Sequence, residues 1–169
     1  MMQITLWKSK GKNVKRQRGF SLIELMIALA ILAVVSSMSV YSWNRYVNNA
    51  NLRTAIRELE ADLFSIKERA VAERVRYRMT LDVSANNYTL EQGGVASTDP
   101  YTVIQTKSPA VFSSGLSLLN TTFVNSQVVF LPRGTLAGLG SITLQNNRNS
   151  TAKITINMTG RTYVQFEMQ

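Results

Sequence analysis

A single carboxylate lies inside the longest apolar stretch of the chain. Between Phe20 and Val40 there are 21 residues, of which only Glu24 carries a charge. A charged side chain at the centre of a membrane-spanning helix costs about 2.5–3.5 kcal/mol, so such groups are usually functional and usually paired. The stretch contains no Lys or Arg that could pair with the carboxylate. Cleavage after Gly19 would free the α-amine of Phe20, which is cationic at neutral pH and could meet Glu24 of a neighbouring copy.

The sequence around this stretch predicts a membrane anchor with a defined orientation. At 1.5 Å rise per residue, the stretch matches a hydrocarbon core about 30 Å thick. Residues 1–18 contain six basic residues and no acidic one, and such flanks stay on the cytoplasmic side. We therefore expect residues 20–41 to cross the membrane once. The alternatives are a plain anchor with a stray carboxylate, or a secretory signal peptide, which would need a shorter apolar core and a small-residue cleavage site.

The start of the stretch resembles the prepilin signature of type IV pilins and type II secretion pseudopilins, through the run Gly19-Phe20-Ser21-Leu22-Ile23-Glu24-Leu25. The resemblance implies that a prepilin peptidase and N-methyltransferase removes residues 1–19 as a basic leader and methylates Phe20. It also implies that Glu24 guides assembly with other pilins or pseudopilins in a helical filament. The chain would first lie in the bacterial inner membrane, with its C-terminal domain in the periplasm.

Composition argues against several other functions. The chain has no Cys and no His, which removes the commonest general base, the thiol nucleophile and the usual transition-metal ligands. We therefore expect no enzyme activity, no cofactor and no metal site. The net charge of +9 falls to +3 without the leader, since 13 basic and 10 acidic residues remain. The pI near 10.2 is thus weak support for nucleic-acid binding.

Helical periodicity continues beyond the apolar stretch. Apolar residues recur at spacings of 4, 3, 4, 3 and 4, which is typical of an amphipathic helix; they are Leu52, Ile56, Leu59, Leu63, Ile66 and Ala70. We predict one long helix over residues 20–72. Its second half should pack this apolar stripe against the remainder of the chain.

From Arg74 the apolar period changes from 3.6 to 2. Residues 74–83 alternate as in a half-buried strand, residues 84–87 form a turn cluster, and residues 88–91 predict the return strand of a hairpin. Three arginines would then share one face of the first strand. A solvated face is the simpler interpretation, and contact with phosphates is the alternative; the residues are Arg74, Arg76 and Arg78.

The remaining sequence predicts a β domain over residues 73–169. Residues 92–119 are interrupted by Gly and Pro, and we expect a variable loop there with one or two short strands. Alternating segments separated by Asn and Gly turns then predict antiparallel strands at 128–131, 140–144, 152–157 and 160–166. The predicted fold class is α+β, a long N-terminal helix packed on a C-terminal antiparallel β domain, as in type IV pilins.

The C-terminal third resembles the GspH/FimT family of minor pilins and pseudopilins. The similarity is carried by the order of the runs 129–134, 142–144 and 154–156, followed by Gly160-Arg161. It implies a low-abundance subunit, near the filament tip, that helps initiate or cap a type IV pilus or a type II secretion pseudopilus. The residues do not distinguish between these two machines.

DNA binding during natural transformation is the alternative function. Some FimT-like relatives that bind DNA carry Gly-Arg-X-Arg near the C-terminus, whereas this chain has Gly160-Arg161-Thr162-Tyr163 and lacks the second Arg. Tyr163 could stack on a base. The candidate DNA-binding residues are Arg133, Arg148, Lys153 and Arg161.

Overall fold

The computed structural model describes residues 19–169, with the side chains of residues 38–42 outside the description. The predicted leader therefore lies outside the described residues except for Gly19. Helix α1 comprises Leu22–Glu73, close to the predicted range of 20–72. The chain separates into two units, of which the first ends at Val40 and the second comprises Tyr41–Gln169.

The apolar stripe of the second half of α1 is confirmed. Each of its six predicted members exposes at most 2% of its surface, while Phe64 on another face of the helix exposes 61%. The stripe packs against the β strands, and 23 buried apolar residues between Leu52 and Ile156 form one cluster. Because this cluster lies wholly within Tyr41–Gln169, the second unit contains a complete core of its own and is expected to fold alone.

Eight strands of the described chain form two sheets. Their bounds are β1 Tyr77–Asp82, β2 Asn87–Gln92, β3 Thr102–Lys107, β4 Ser117–Thr121, β5 Gln127–Phe130, β6 Gly140–Gln145, β7 Thr151–Ile156 and β8 Thr162–Glu167. The strand orders are β3-β2-β1-β5 and β4-β6-β7-β8, and all pairings are antiparallel. The predicted antiparallel β domain is confirmed, and the structure divides its strands between two sheets. Local alternation cannot show that β4 leaves its neighbours in sequence to pair with β6.

The predicted loop over residues 92–119, where one or two short strands were expected, contains β3 and the start of β4. Strand β3 forms an edge of the first sheet and β4 an edge of the second. Between them lies a short 3₁₀ turn, Pro109–Val111, which begins after Ser108. This segment therefore carries the chain from one sheet to the other.

The first strand begins three residues later than predicted. Arg74 has a φ of 57°, the left-handed conformation that commonly ends a helix, so it terminates α1 instead of extending β1. Arg78 forms an ion pair with Glu91, and its guanidinium lies 3.8 Å from the ring centroid of Tyr101. The prediction of a solvated face with three arginines is therefore wrong, because the Arg78 guanidinium contacts a carboxylate and an aromatic ring.

Candidate assembly site

The first turn of α1 positions the predicted assembly carboxylate. The carbonyl oxygen of Ser21 accepts backbone hydrogen bonds from Glu24 and Leu25, each 3.1 Å long. Gly19 and Phe20 precede the helix, so the predicted cleavage position lies in non-helical backbone that a peptidase could reach. Glu24 lies in the first helical turn, where the helix dipole favours negative charge.

The side chains that follow are apolar on every face of the helix. Every large apolar side chain from Phe20 to Val35 exposes at least 55% of its surface, and Phe20 itself exposes 84%. A helix that is hydrophobic all round is stable when lipid or other protein covers it. This segment therefore presents a surface for other chains or for lipid, with the Glu24 carboxylate as its one charge.

Over the residues that the structure describes, no helix contains an apolar stretch long enough to cross a membrane. The same part of the chain contains no group of three or more His, Cys, Asp or Glu residues placed to hold a metal ion.

A polar cluster that the sequence did not predict joins α1 to the first sheet. The Tyr88 hydroxyl donates a 2.8 Å hydrogen bond to Asp62, and Lys107 Nζ donates to Asp62 at 2.7 Å and to Glu58 at 2.8 Å. Asp62 exposes only 8% of its surface. The sequence did contain a hint that the Asp62 carboxylate is buried, because Asp62 directly precedes Leu63 of the apolar stripe. Its cation, however, lies 45 residues away in sequence.

The environment of the cluster raises two pKa values. Burial, with the hydrogen bond to Asp62 adding to it, raises the pKa of the Tyr88 phenol above its ordinary 10.0. Burial alone would lower the pKa of Lys107, but its hydrogen bonds to Asp62 and Glu58 outweigh that effect and raise it. Both groups therefore hold their protons more tightly in the folded chain than in the unfolded chain.

Alkaline pH is expected to destabilise the folded chain through these groups. A raised folded-state pKa contributes stability that is full below the unfolded pKa and is lost as pH rises above it. The free energy of unfolding of Tyr41–Gln169 should therefore fall as pH rises above about 10. Urea unfolding across this range measures the slope, and Tyr88→Phe should make it shallower because one titrating group is removed. An unchanged slope in Tyr88→Phe would contradict this expectation.

Two of the four candidate DNA-binding residues lie in neighbouring turns. Arg133 precedes Gly134 and Arg161 follows Gly160, and a Cβ on Gly160 would lie 3.1 Å from the Gly134 carbonyl oxygen. Lys67 joins them, since its Nζ donates a 3.3 Å hydrogen bond to the Gly160 carbonyl. These three basic residues therefore lie at one end of the second unit.

The other two candidate residues lie elsewhere. Arg148 is in the turn between β6 and β7, at the opposite end of β7 from Ile156 and the turn that follows it. Lys153 is exposed in the middle of β7, between the buried Ala152 and Ile154. The structure does not bring the four predicted residues into one patch, and DNA binding stays a prediction.

Two sequence families match the chain, one at its N-terminal segment and one over the second half of α1 and most of the β domain. The family described as "Prokaryotic N-terminal methylation motif" matches residues 14–40, which include the predicted cleavage position and the assembly carboxylate. The family described as "Type II transport protein GspH" matches residues 55–160, more than half of the chain. The chain therefore belongs to the GspH family, in the class of minor pilins and pseudopilins of type II secretion systems and type IV pili.

Solved structures confirm the α+β, type IV pilin-like fold. The minor pseudopilin EpsH from the type 2 secretion system of Vibrio cholerae matches with a TM-score of 0.56 and 12% identity, over 69% of this chain and 97% of that chain. The type IV minor pilin FimU of Pseudomonas aeruginosa matches with a TM-score of 0.54 and 18% identity, over 72% of this chain and 92% of that chain. At these identities the likeness shows the fold alone. No curated protein matches the chain.

Proposed function

We propose that the chain is a minor subunit that helps initiate or cap a type IV pilus or a type II secretion pseudopilus. The observation that carries this proposal is the difference in exposure between the two parts of α1. From Phe20 to Val35, every large apolar side chain is exposed around one carboxylate, whereas the second part of the helix buries its apolar stripe in the core. The second unit is therefore complete without the first part of α1, which is left to contact lipid or other subunits.

Assembly would proceed through charge pairing inside an apolar helix bundle. Removal of the leader after Gly19 exposes the amine of Phe20, which stays cationic after methylation. Within the bundle this amine pairs with Glu24 of a neighbouring subunit, because an isolated charge in apolar surroundings is strongly unfavourable. The pairing requires no catalytic group, metal or cofactor, in keeping with a chain that has no Cys or His.

Before assembly, residues 20–41 would anchor the subunit in the inner membrane, with Tyr41–Gln169 in the periplasm. Support comes from the sequence, where 21 residues contain one charge and the preceding 18 contain six basic residues. This asymmetry sets the N-terminus on the cytoplasmic side. A position near the filament tip is what the resemblance to GspH/FimT minor pilins implies. A minor role is in keeping with EpsH and FimU, which are described as a minor pseudopilin and a minor pilin.

A clean deletion strain tests the proposal and separates the two machines. Sheared surface pili and the exoprotein profile would be measured side by side, with the gene restored as control. Lost pili with normal secretion would identify a pilus-initiating minor pilin. Normal pili with exoproteins retained in the periplasm would identify a pseudopilin. Normal levels of both would contradict the proposed function.

A further inference from the structure

An open groove with a volume of about 520 Å³ lies along α1 near the start of the second unit. Its charged lining is entirely basic. Arginine side chains alternate there with polar ones, and the lining includes Arg45, Tyr46, Asn49, Arg53, Thr54 and Arg57. No acidic residue contributes to it.

The charge of α1 is divided along its length. Residues 41–57 contain three Arg and no acidic residue, whereas residues 58–73 contain five acidic residues and two basic ones. Acids of the later segment already have partners: Glu58 and Asp62 bind Lys107, and Glu60 accepts a hydrogen bond from Thr162. The positive charge of the groove is therefore not neutralised by acids within its own stretch of helix.

Two of the arginines are held in place by the C-terminal segment. Arg45 Nε donates a 3.0 Å hydrogen bond to the main-chain oxygen of Gln169, the last residue of the sequence, and the Arg53 guanidinium lies 5.9 Å from the ring centroid of Phe166. Gln169 is itself anchored, since its backbone N–H donates to the hydroxyl of the buried Ser150 at 3.0 Å. A guanidinium has five N–H donors, so the bond of Arg45 to Gln169 leaves four for a ligand.

An aromatic pair stands beside the groove. Trp43 and Tyr46 expose 67% and 68% of their surfaces, and their ring centroids are 6.3 Å apart. Exposed Trp and Tyr residues next to an apolar stretch are typical of the headgroup level of a membrane. Arginine suits phosphate there, because its planar fork binds two oxygens at once.

We propose that this groove binds the phosphate groups of anionic phospholipids at the membrane surface. The inference rests on the proposed membrane anchoring, because it places the groove where residues 20–41 would leave the bilayer. The aromatic pair and the basic groove together favour lipid over an acidic segment of a neighbouring subunit, since an acidic segment would require no exposed aromatic pair. Headgroup binding would hold the periplasmic unit against the membrane before assembly.

The Tyr41–Gln169 fragment tests the proposal, because it contains the whole core and lacks the apolar anchor. Its affinity would be measured for vesicles of phosphatidylglycerol mixed with phosphatidylcholine and for vesicles of phosphatidylcholine alone. Three arginines near an anionic surface predict about 100-fold stronger binding to the anionic vesicles at low salt. Trp43 is the one Trp of the fragment, so its fluorescence should shift to the blue on binding.

Matched variants separate the groove from general charge. The triple variant Arg45→Gln, Arg53→Gln and Arg57→Gln should lose most of the preference for anionic vesicles. A control triple of Arg133→Gln, Lys153→Gln and Arg161→Gln removes the same charge from other surfaces and should keep it. Arg57→Gln alone, which leaves the contacts of Arg45 and Arg53 in place, should weaken binding about fivefold. Circular dichroism would establish that each variant is folded.

Three results would overturn the proposal. The first is equal binding of the fragment to both kinds of vesicle, and the second is an equal loss of binding in the control triple. The third combines two measurements: the groove triple binds vesicles as well as the unchanged fragment does, but the same triple in the full chain fails to enter filaments. The last result would assign the groove to an acidic neighbouring subunit. The fragment lacks Phe20 and Glu24 and therefore cannot enter a filament. A negative vesicle result would thus contradict lipid binding alone, and the proposed function would still be tested by the deletion strain.

Discussion

Replacing Glu24 by Gln in the full chain is expected to lower its recovery in sheared filaments by more than about tenfold. The substitution keeps the size and polarity of the side chain and removes its charge. In the proposed bundle it leaves the Phe20 amine of a neighbour unpaired in apolar surroundings, and removing one partner of a buried pair costs about 3–5 kcal/mol. Membrane insertion should be unimpaired, because a neutral amide is less costly in an apolar segment than a carboxylate.

Quantitative immunoblots of the sheared and membrane fractions would measure this effect. The matched control is Glu68→Gln, which neutralises an exposed carboxylate on the second half of the same helix and should leave recovery unchanged. Intact-mass measurement of the membrane form would establish that the leader is still removed in both variants. Equal recovery of Glu24→Gln and the control would refute the assigned role of the carboxylate.

Replacing Lys107 by Met is expected to lower the free energy of unfolding of Tyr41–Gln169 by about 2–4 kcal/mol. The change leaves Asp62, whose side chain is 11% exposed, without the cation that faces it at 2.7 Å. Loss of one partner from a fully buried pair costs about 3–5 kcal/mol, and the 24% exposure of the Lys107 side chain reduces that range. The aliphatic part of the Lys side chain is replaced by a chain of similar length, so little packing should be lost.

Urea unfolding monitored by circular dichroism would measure the loss. Lys153→Met is the matched control, because Lys153 is exposed on β7 and forms no ion pair within the part of the chain that the structure describes. Its effect should stay within about 0.5 kcal/mol. Adding Asp62→Asn to Lys107→Met should restore part of the stability, because the unpaired charge is then removed. A loss of equal size in Lys107→Met and Lys153→Met would show that the buried pair contributes nothing specific.

Much of the fold was predictable because the relevant signals are local. The buried stripe from Leu52 to Ala70 follows from helical periodicity, and all six of its members are buried as predicted. Strand alternation likewise predicted the buried residues Tyr77, Met79 and Leu81 of β1. The family was also readable from the sequence, because the motif around Gly19 and Glu24 is continuous and needs no folding to be recognised.

Other features depended on contacts between residues far apart in sequence. The division into two sheets required the pairing of β4 with β6, across the intervening β5. The Asp62–Lys107 pair joins a helix to a strand 45 residues later, so periodicity within either segment could not predict it. Spacing in the sequence likewise could not show that Arg133 and Arg161 lie in neighbouring turns while Arg148 lies at the other end of β7.

The sequence by itself determined the elements of this protein and its family, and it supplied the residues of the predicted assembly motif. Each of these depends on the order and spacing of nearby residues, which set helix and strand and which carry the match to the methylation motif. The tertiary structure alone decided which charges are paired in the core and which basic residues share a surface. Those properties depend on distances across the fold, and such distances are established only when the helix and both sheets pack around one core.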